Sequence, residues 1–571
     1  MNIQKIIILF IFSGWFLCTS AQIFSPKNYP QAYFQWPVKA KIAIVANFGE
    51  LRPNHYHMGL DCRTDQHENV PVVASADGYI AKVKIEPFGF GRCIYINHPN
   101  GLTTIYAHLN DFYPALETYI TQQQYNLKSW KVFLDIPADM FVVNKGQFIA
   151  YSGTTGGSQG PHTHFEIRDT KTDKVLNPLL FGLPISDNIA PDILHLAVYD
   201  RNISTYEQTP RLYPIKKVNG VYVTTPANII LNSDKVSFAI TAYDRYTGST
   251  NRNGIYEAVL FEDENALLGF QLDNISYDET RYINAHIDYK LRSTAGLYVQ
   301  HLSRLPGYTN SIYTNVINDG VINLINDGTH AIKIEVKDTR GNTSYLKFGI
   351  QKSFGNTHPY YPNPIAVYEP NEFRPGFINI FENEKVMLVL PEICLYDSIR
   401  FKYNEIIPAI GYPIYQIHNA TVPVQALFPI KIKNTVTKNP DKMVMHRFAN
   451  GKDDYAKATN ENGWYKANFR EFGNFQLLED LNPPTIKPIG FREGMKMSQL
   501  NKLVFVVSDD SEELFDFNAT LDGQWLLFSN DKGRTFIYKM DEHCSPGKHE
   551  LKISVADCVG NIAEKTYHFT R

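Results

Sequence analysis

Cysteine is scarce: six in 571 residues, one of them inside the apolar amino-terminal stretch. The other five are Cys62, Cys93, Cys394, Cys544 and Cys558. An odd number leaves at least one unbridged, which excludes a disulfide-built scaffold. Cys544 with Cys558 is the candidate pair. Charge of one sign is also lacking. The chain has 55 Lys and Arg against 58 Asp and Glu, a net charge of -3 and a pI near 6.6. That leaves no broad basic field for a phosphate backbone and argues against a nucleic-acid partner. No run after the first 21 residues approaches the ~20 apolar residues of a membrane helix, so the expectation is a mature chain without a transmembrane segment. No Gly-Lys-Ser/Thr follows the glycine-rich stretch Gly153 to Gly160. A turn leading into the next strand is the better account than a phosphate cradle.

Residues 1–21 combine Lys5, an apolar run from Ile6 to Leu17, and Thr19-Ser20-Ala21. They read as an export signal cut before Gln22, with an apolar run too short to span a bilayer. Cys18 is a poor lipid-attachment site, because Trp15-Phe16-Leu17 before it lacks small residues. The chain is expected to be exported, as a periplasmic, envelope-associated or secreted protein.

The chain is rich in aromatic residues, with 35 Tyr and 35 Phe. Together with abundant Asn and Gly they favour strands and turns, so a mostly β protein is expected. Its length exceeds a single core and implies three or four domains.

Chemistry concentrates between residues 57 and 164. His57-Met58-Gly59-Leu60-Asp61 is followed by Tyr106-Ala107-His108-Leu109 and by His162-Thr163-His164. Imidazole and carboxylate suit Zn²⁺, and a catalytic zinc takes three protein ligands and one water, which leaves two of these five groups for proton work. On a strand, His162 and His164 point to one face with Cα atoms roughly 6 to 7 Å apart. His57 and Asp61 on a straight strand would be about 13 Å apart, too far to share an ion. Gly59 is where the chain can bend to join them. A lone histidine is usually a surface or core residue, but five such groups in one stretch, set beside Gly, Pro and aromatics, argue for a metal site. Cys62 follows Asp61, and strand alternation turns it away, as a small core residue.

The pattern H-x-x-x-D, then Y-A-H, then H-x-H resembles the M23 (lysostaphin/LytM-type) zinc metallopeptidases. Phe48-Gly49, Val72-Val73-Ala74, Asp77-Gly78, Gly89-Phe90-Gly91, Asn97-His98, Lys145-Gly146-Gln147 and Ser152 to Ser158 match as well. The resemblance implies one Zn²⁺ bound by His57, Asp61 and His164, with His108 and His162 as the paired catalytic histidines. It implies an antiparallel-sheet domain of barrel-sandwich hybrid type over 22–185. The chain departs from the family between Leu109 and Val143, where an insertion of about 110–141 is expected as an excursion at the groove rim.

Beyond residue 185 the chain repeats itself. Gly328 to Asn342 matches Gly547 to Asn561 at eight of fifteen positions, ending in Asp-x-x-Gly-Asn both times. The entries correspond too, Asp187-x-x-x-Pro191 with Asp480-x-x-x-Pro484, and Lys235 to Asp244 resembles Lys502 to Asp509. Alternating apolar residues before Gly/Asn/Asp turns suggest immunoglobulin-like sandwiches over 186–352 and 480–571, the first carrying about 74 extra residues between Asp244 and Asp327. His330 and His549 open a strand in each copy, with structural roles and no second ligand expected nearby. Pro359 to Pro364 reads as a stiff linker. A further sandwich over 353–479 weakly resembles the ZU5 type. The fold expected is therefore an M23 domain followed by about three β-sandwiches.

The resemblance implies a zinc endopeptidase acting on peptide cross-links of bacterial peptidoglycan. The Ser20-Ala21-Gln22 signal end and the appended sandwiches have a Gram-negative character, which favours the D-Ala to diaminopimelate bond over glycyl-glycine. Two rivals stand against it. One is a non-catalytic wall-binding or amidase-regulating protein, whose M23 domain usually loses zinc ligands. The other is a glycan-binding protein led by its sandwiches.

Overall fold

The computed structural model describes residues 23–571 except 315, 326–327, 354–370, 435–437, 498–499 and 512–513. The expected export signal with Cys18, and the Pro359 to Pro364 linker, lie outside the described residues.

The described chain is mostly β. Its amino-terminal sheet runs Ile44–Ala46, Leu60–Arg63, His162–Asp169, Leu102–Ala107, Arg92–Asn97, Gly78–Ile85, Val132–Asp135, with every neighbour antiparallel. A three-stranded sheet of Pro71–Val73, Phe148–Ser152 and Leu109–Phe112 packs with it. The two share a core that includes Leu60, Cys62, Ile80, Val83, Tyr106, Leu109 and Phe165. Cys62 is fully buried there, as strand alternation requires.

The 110–141 segment is not a rim loop. Pro114–Leu127 is a helix started by Pro at its first turn, with Leu116 and Ile120 buried, and Val132–Asp135 extends the main sheet. None of the residues lining the cleft described below comes from this segment. Its apolar positions at helical spacing send it into the core instead. On its outer side Tyr125 stacks on His543 of the carboxy-terminal sandwich, with ring centroids 4.0 Å apart.

The two repeated sandwiches share their pairing scheme. In the first, Asp192–Asp200 pairs with Lys235–Tyr243, His330–Lys337 lies between Glu257–Glu262 and Thr343–Lys352, and the last strand pairs in parallel with Val221–Leu231. In the last, Thr485–Pro488 pairs with Lys502–Ser508, Lys548–Asp557 lies between Leu514–Leu521 and Ile562–Thr570, and that last strand pairs in parallel with Met495–Lys496. Between them two five-stranded sheets enclose a separate core around Val386, Phe428, Ile430 and Phe475. Cys544 and Cys558 are thiols rather than a disulfide.

The first sandwich is not separate from the amino-terminal domain. Phe48, Tyr56 and Met58 belong to its core, and Val175–Leu176 pairs with Asn274–Ile275 across the boundary.

Candidate metal centre

Strand register builds the centre. His164 lies directly opposite Asp61 on one side and opposite Ala107 on the other, so His108, one residue on, begins beside them. Opposed residues of an antiparallel pair project to the same face, which sets Asp61 against His164. His162, two residues earlier, shares that face. His57 arrives through the bend at Gly59, where an added Cβ would lie 2.5 Å from the Phe165 carbonyl oxygen and 2.8 Å from the His164 ring. Only glycine allows that approach. The flanking Tyr56 and Met58 side chains bury into the first sandwich and fix the segment carrying His57.

Three donor atoms converge. His57 Nε2 is 3.0 Å from Asp61 Oδ1 and 3.1 Å from His164 Nδ1, and His164 Nδ1 is 3.0 Å from Asp61 Oδ1. In a tetrahedral zinc site with bonds of about 2.0–2.1 Å, ligand atoms lie about 3.3 Å apart. The triangle therefore needs to open only slightly to take the ion, and all three residues are buried.

The far nitrogens of both histidines are tied down. His57 Nδ1–H donates to the Asn47 carbonyl at 2.7 Å, and His164 Nε2–H donates to Glu166 Oε1 at 2.9 Å. Such contacts fix the tautomer and ring angle that a metal-binding imidazole needs. Glu166 is fully buried and also accepts from Arg168 Nε at 2.7 Å and from the Tyr277 hydroxyl at 2.5 Å. Burial opposes its ionisation, yet the Arg168 charge and the His164 contact hold it down at about 2. Burial likewise opposes ionisation of Asp61, but the imidazoles packed around it, His57 foremost and then His162 and His164, hold it well below the usual carboxylate range.

His108 and His162 stand beside the triangle, their ring centroids 4.8 Å apart. His108 Nδ1–H donates to the Thr155 carbonyl at 2.8 Å and His162 Nδ1–H to the Gly160 carbonyl at 2.8 Å, which leaves both Nε2 atoms as acceptors. His162 Nε2 is 3.4 Å from Asp61 Oδ1. Burial first, and then His162 and His164, push the pKa of His108 down to about 3, so it is neutral.

All five side chains line an open cleft of about 1340 Å³ whose walls also carry Arg52, Arg63, Lys84, Asp65 and Glu86. The Gly-rich run contributes Gly157 to Pro161, and the first sandwich contributes Asn251 and Tyr277. The structure brings together the five residues named from the sequence and adds Asn47, Glu166 and Tyr277, which were not among them. Glu166 carried a signal, since it is two residues from His164 on the same strand face. Tyr277 carried none, because it reaches the centre from another domain.

Known proteins resemble the amino-terminal part of the chain. Residues 55–125 match the model of peptidase family M23, and residues 373–480 match a Zu5-like domain. The M23 match thus falls within the amino-terminal domain that carries the centre. The DD-carboxypeptidase/endopeptidase Mpg of Neisseria meningitidis is 34% identical over 128 residues, 22% of this chain and 23% of that protein. The peptidoglycan DD-endopeptidase ShyA of Vibrio cholerae is 26% identical over 28% of this chain and 32% of its own length. The murein hydrolase activator NlpD of Salmonella typhimurium is 29% identical over 27% of this chain and 32% of its own length. The chain thus spans about a quarter to a third of the length of these relatives. No helix among the described residues is long and apolar enough to cross a membrane.

Proposed function

We propose that this protein is a zinc-dependent endopeptidase that cuts peptide cross-links of bacterial peptidoglycan outside the cytoplasm. The observation that carries the reading is the convergence of His57 Nε2, Asp61 Oδ1 and His164 Nδ1, each about 3 Å from the next, beside two histidines with open acceptor nitrogens. Those three atoms are the proposed ligands. Zinc bound there supplies Lewis acidity toward a scissile carbonyl and lowers the pKa of water.

His108 and His162 do the proton work. Each is held by a backbone carbonyl at Nδ1, so each presents Nε2 to the cleft. One accepts at Nε2 the proton of the attacking water and returns it to the nitrogen of the breaking C–N bond, which leaves as a free amine; the other, protonated from solvent, donates toward the developing oxyanion. The cleft walls favour a charged stem peptide. Arg52, Arg63 and Lys84 line it together with Asp65 and Glu86, Arg52 pairing with Glu50 and Lys84 with Glu86, so the lining carries both charges. A D-Ala to diaminopimelate cross-link offers both charges and a glycyl-glycine bridge offers neither, so the former is the proposed bond.

A regulatory role remains the alternative, because a murein hydrolase activator is among the relatives. Against it, the full set of five side chains is present and assembled. The test is hydrolysis of isolated sacculi by the full chain after metal stripping and after return of one equivalent of zinc. Zinc should restore release of cross-link-cleaved fragments. Sacculi that are bound but left uncut at every zinc level would favour the regulatory reading.

A further inference from the structure

The repeat carries more than a fold. Its three sequence markers, far apart along the chain, meet in space in both copies. In the first sandwich Asp187, Asp244 and Asp338 each bring a carboxylate oxygen within 4.8 Å of the other two, and in the last sandwich Asp480, Asp509 and Asp557 do the same.

The supporting contacts are duplicated as well. Asp338 Oδ1 accepts from the Arg340 and Asn342 backbone N–H groups at 2.8 and 2.9 Å, and its Oδ2 accepts from Asn342 Nδ2 at 2.6 Å. Asp557 Oδ1 accepts from Val559 and Asn561 N–H at 2.9 and 2.8 Å, and its Oδ2 accepts from Asn561 Nδ2 at 2.7 Å. The Asp187 and Asp480 carboxylates each accept one N–H two residues on, both at 3.1 Å. Asp509 is held by the Ser511 N–H at 3.0 Å.

An acidic cluster alone is not a site, but here a buried group is left without a partner. Asp244 is 1% exposed and neither of its carboxylate oxygens accepts a hydrogen bond. Asn253, 2% exposed and paired with Asp244 across a β-bridge, leaves its Oδ1 unpartnered too. In the second copy Asp480, 8% exposed, leaves Oδ2 unpartnered. A carboxylate buried in this way is costly unless it is paired or bound to a metal. Burial, with Asp187 and Asp338 beside it, raises the pKa of Asp244 to about 8. The crowding is therefore carboxylate against carboxylate.

We propose that each repeated sandwich binds one Ca²⁺, at Asp187/Asp244/Asp338 and at Asp480/Asp509/Asp557. The donors are all hard oxygens, which suit Ca²⁺ or Mg²⁺ rather than zinc. Mg²⁺ keeps several waters and uses one or two carboxylates, whereas a cage of three carboxylates, two of them buried in each copy, fits Ca²⁺, which takes six to eight oxygens. Position suggests what the ions do. Asp187 and Asp480 each open a sandwich just after the preceding domain. The Asp-x-x-Gly-Asn turn grips that same domain in both copies: Arg340 donates to the Leu183 and Ile185 carbonyls, and Lys442 donates to the Val559 carbonyl. An ion at each triad ties the domain entry, a strand end and the turn into one rigid junction.

The test is calorimetric titration of the chelator-stripped, zinc-reloaded full chain with CaCl₂. Two Ca²⁺ per chain are expected in the micromolar to millimolar range of extracellular modules. Asp244→Asn should bind one and Asp244→Asn with Asp557→Asn none. Each variant is checked for native circular dichroism, and Asp187→Asn replaces Asp244→Asn should that variant misfold. No Ca²⁺ uptake by the wild type, unchanged stoichiometry in the folded variants, or equal binding of MgCl₂ would overturn the proposal.

Discussion

The two repeated sandwiches have the same strand pairing and the same aspartate triad, yet they relate differently to the metal centre. The last one touches its rim: Lys532 N–H donates to the Pro87 carbonyl and Lys532 Nζ to the Ser158 carbonyl, both at 2.9 Å. The first one is built into the centre. Its core takes in Tyr56 and Met58 on either side of His57, its Gly254 holds Asn47, and its Tyr277 holds Glu166. Gly254 and Tyr277 belong to the stretch that the last copy lacks. What the copies share therefore belongs to the sandwich itself, and what the first copy adds shapes the candidate site.

Core truncations break this comparison most sharply. Tyr56→Ala and Phe505→Ala each empty a fully buried site, in the first and last sandwich respectively. Each should cost about 3–5 kcal/mol of stability by denaturant titration. Zinc affinity should fall only in Tyr56→Ala, because only that residue flanks His57. Equal zinc affinity in the two variants would mean that the first sandwich is a bystander.

A chemical substitution comes next. His108→Ala should lower the cleavage rate about 10²- to 10⁴-fold while zinc content by mass spectrometry stays at one per chain. Loss of zinc in that variant would move His108 from proton transfer to metal binding.

Smaller effects sharpen the contrast. Tyr277→Phe removes one hydrogen bond to Glu166 and should weaken zinc binding about tenfold in a chelator competition. Lys532→Ala, at the contact made by the last sandwich, should change stability by no more than about 0.5 kcal/mol and leave cleavage unchanged. A loss of cleavage with Lys532→Ala comparable to that with His108→Ala would make the two sandwiches equal participants.

Much of the centre was legible in the sequence because it is short-range strand geometry. The i, i+2 spacing of His162 and His164 put both rings on one face, and Gly59 was the bend that brings His57 to Asp61. The Asp-x-x-Gly-Asn repeat was visible as well. What strand periodicity does not carry is contact between distant segments. Asn47 and Tyr277 hold the centre through long-range pairings that leave no local pattern. The aspartates of the repeat read as turn residues because their convergence needs three separate segments. His330 and His549, expected to lack a neighbouring ligand, instead meet Glu262 at 2.8 Å and Asp522 at 2.7 Å, each from an adjacent hairpin. The 110–141 segment read as a rim loop because its polar residues hide the few apolar positions that seat the helix.

The most direct measurement is mass spectrometry of muropeptides from sacculi digested by the zinc-loaded full chain and by His164→Ala. The account predicts that the wild type converts dimers joined through D-Ala and diaminopimelate into monomers and that His164→Ala leaves the dimers intact. Equal conversion by both proteins would contradict the assignment of His164, and no conversion by the folded, zinc-loaded wild type would contradict the peptidase reading itself.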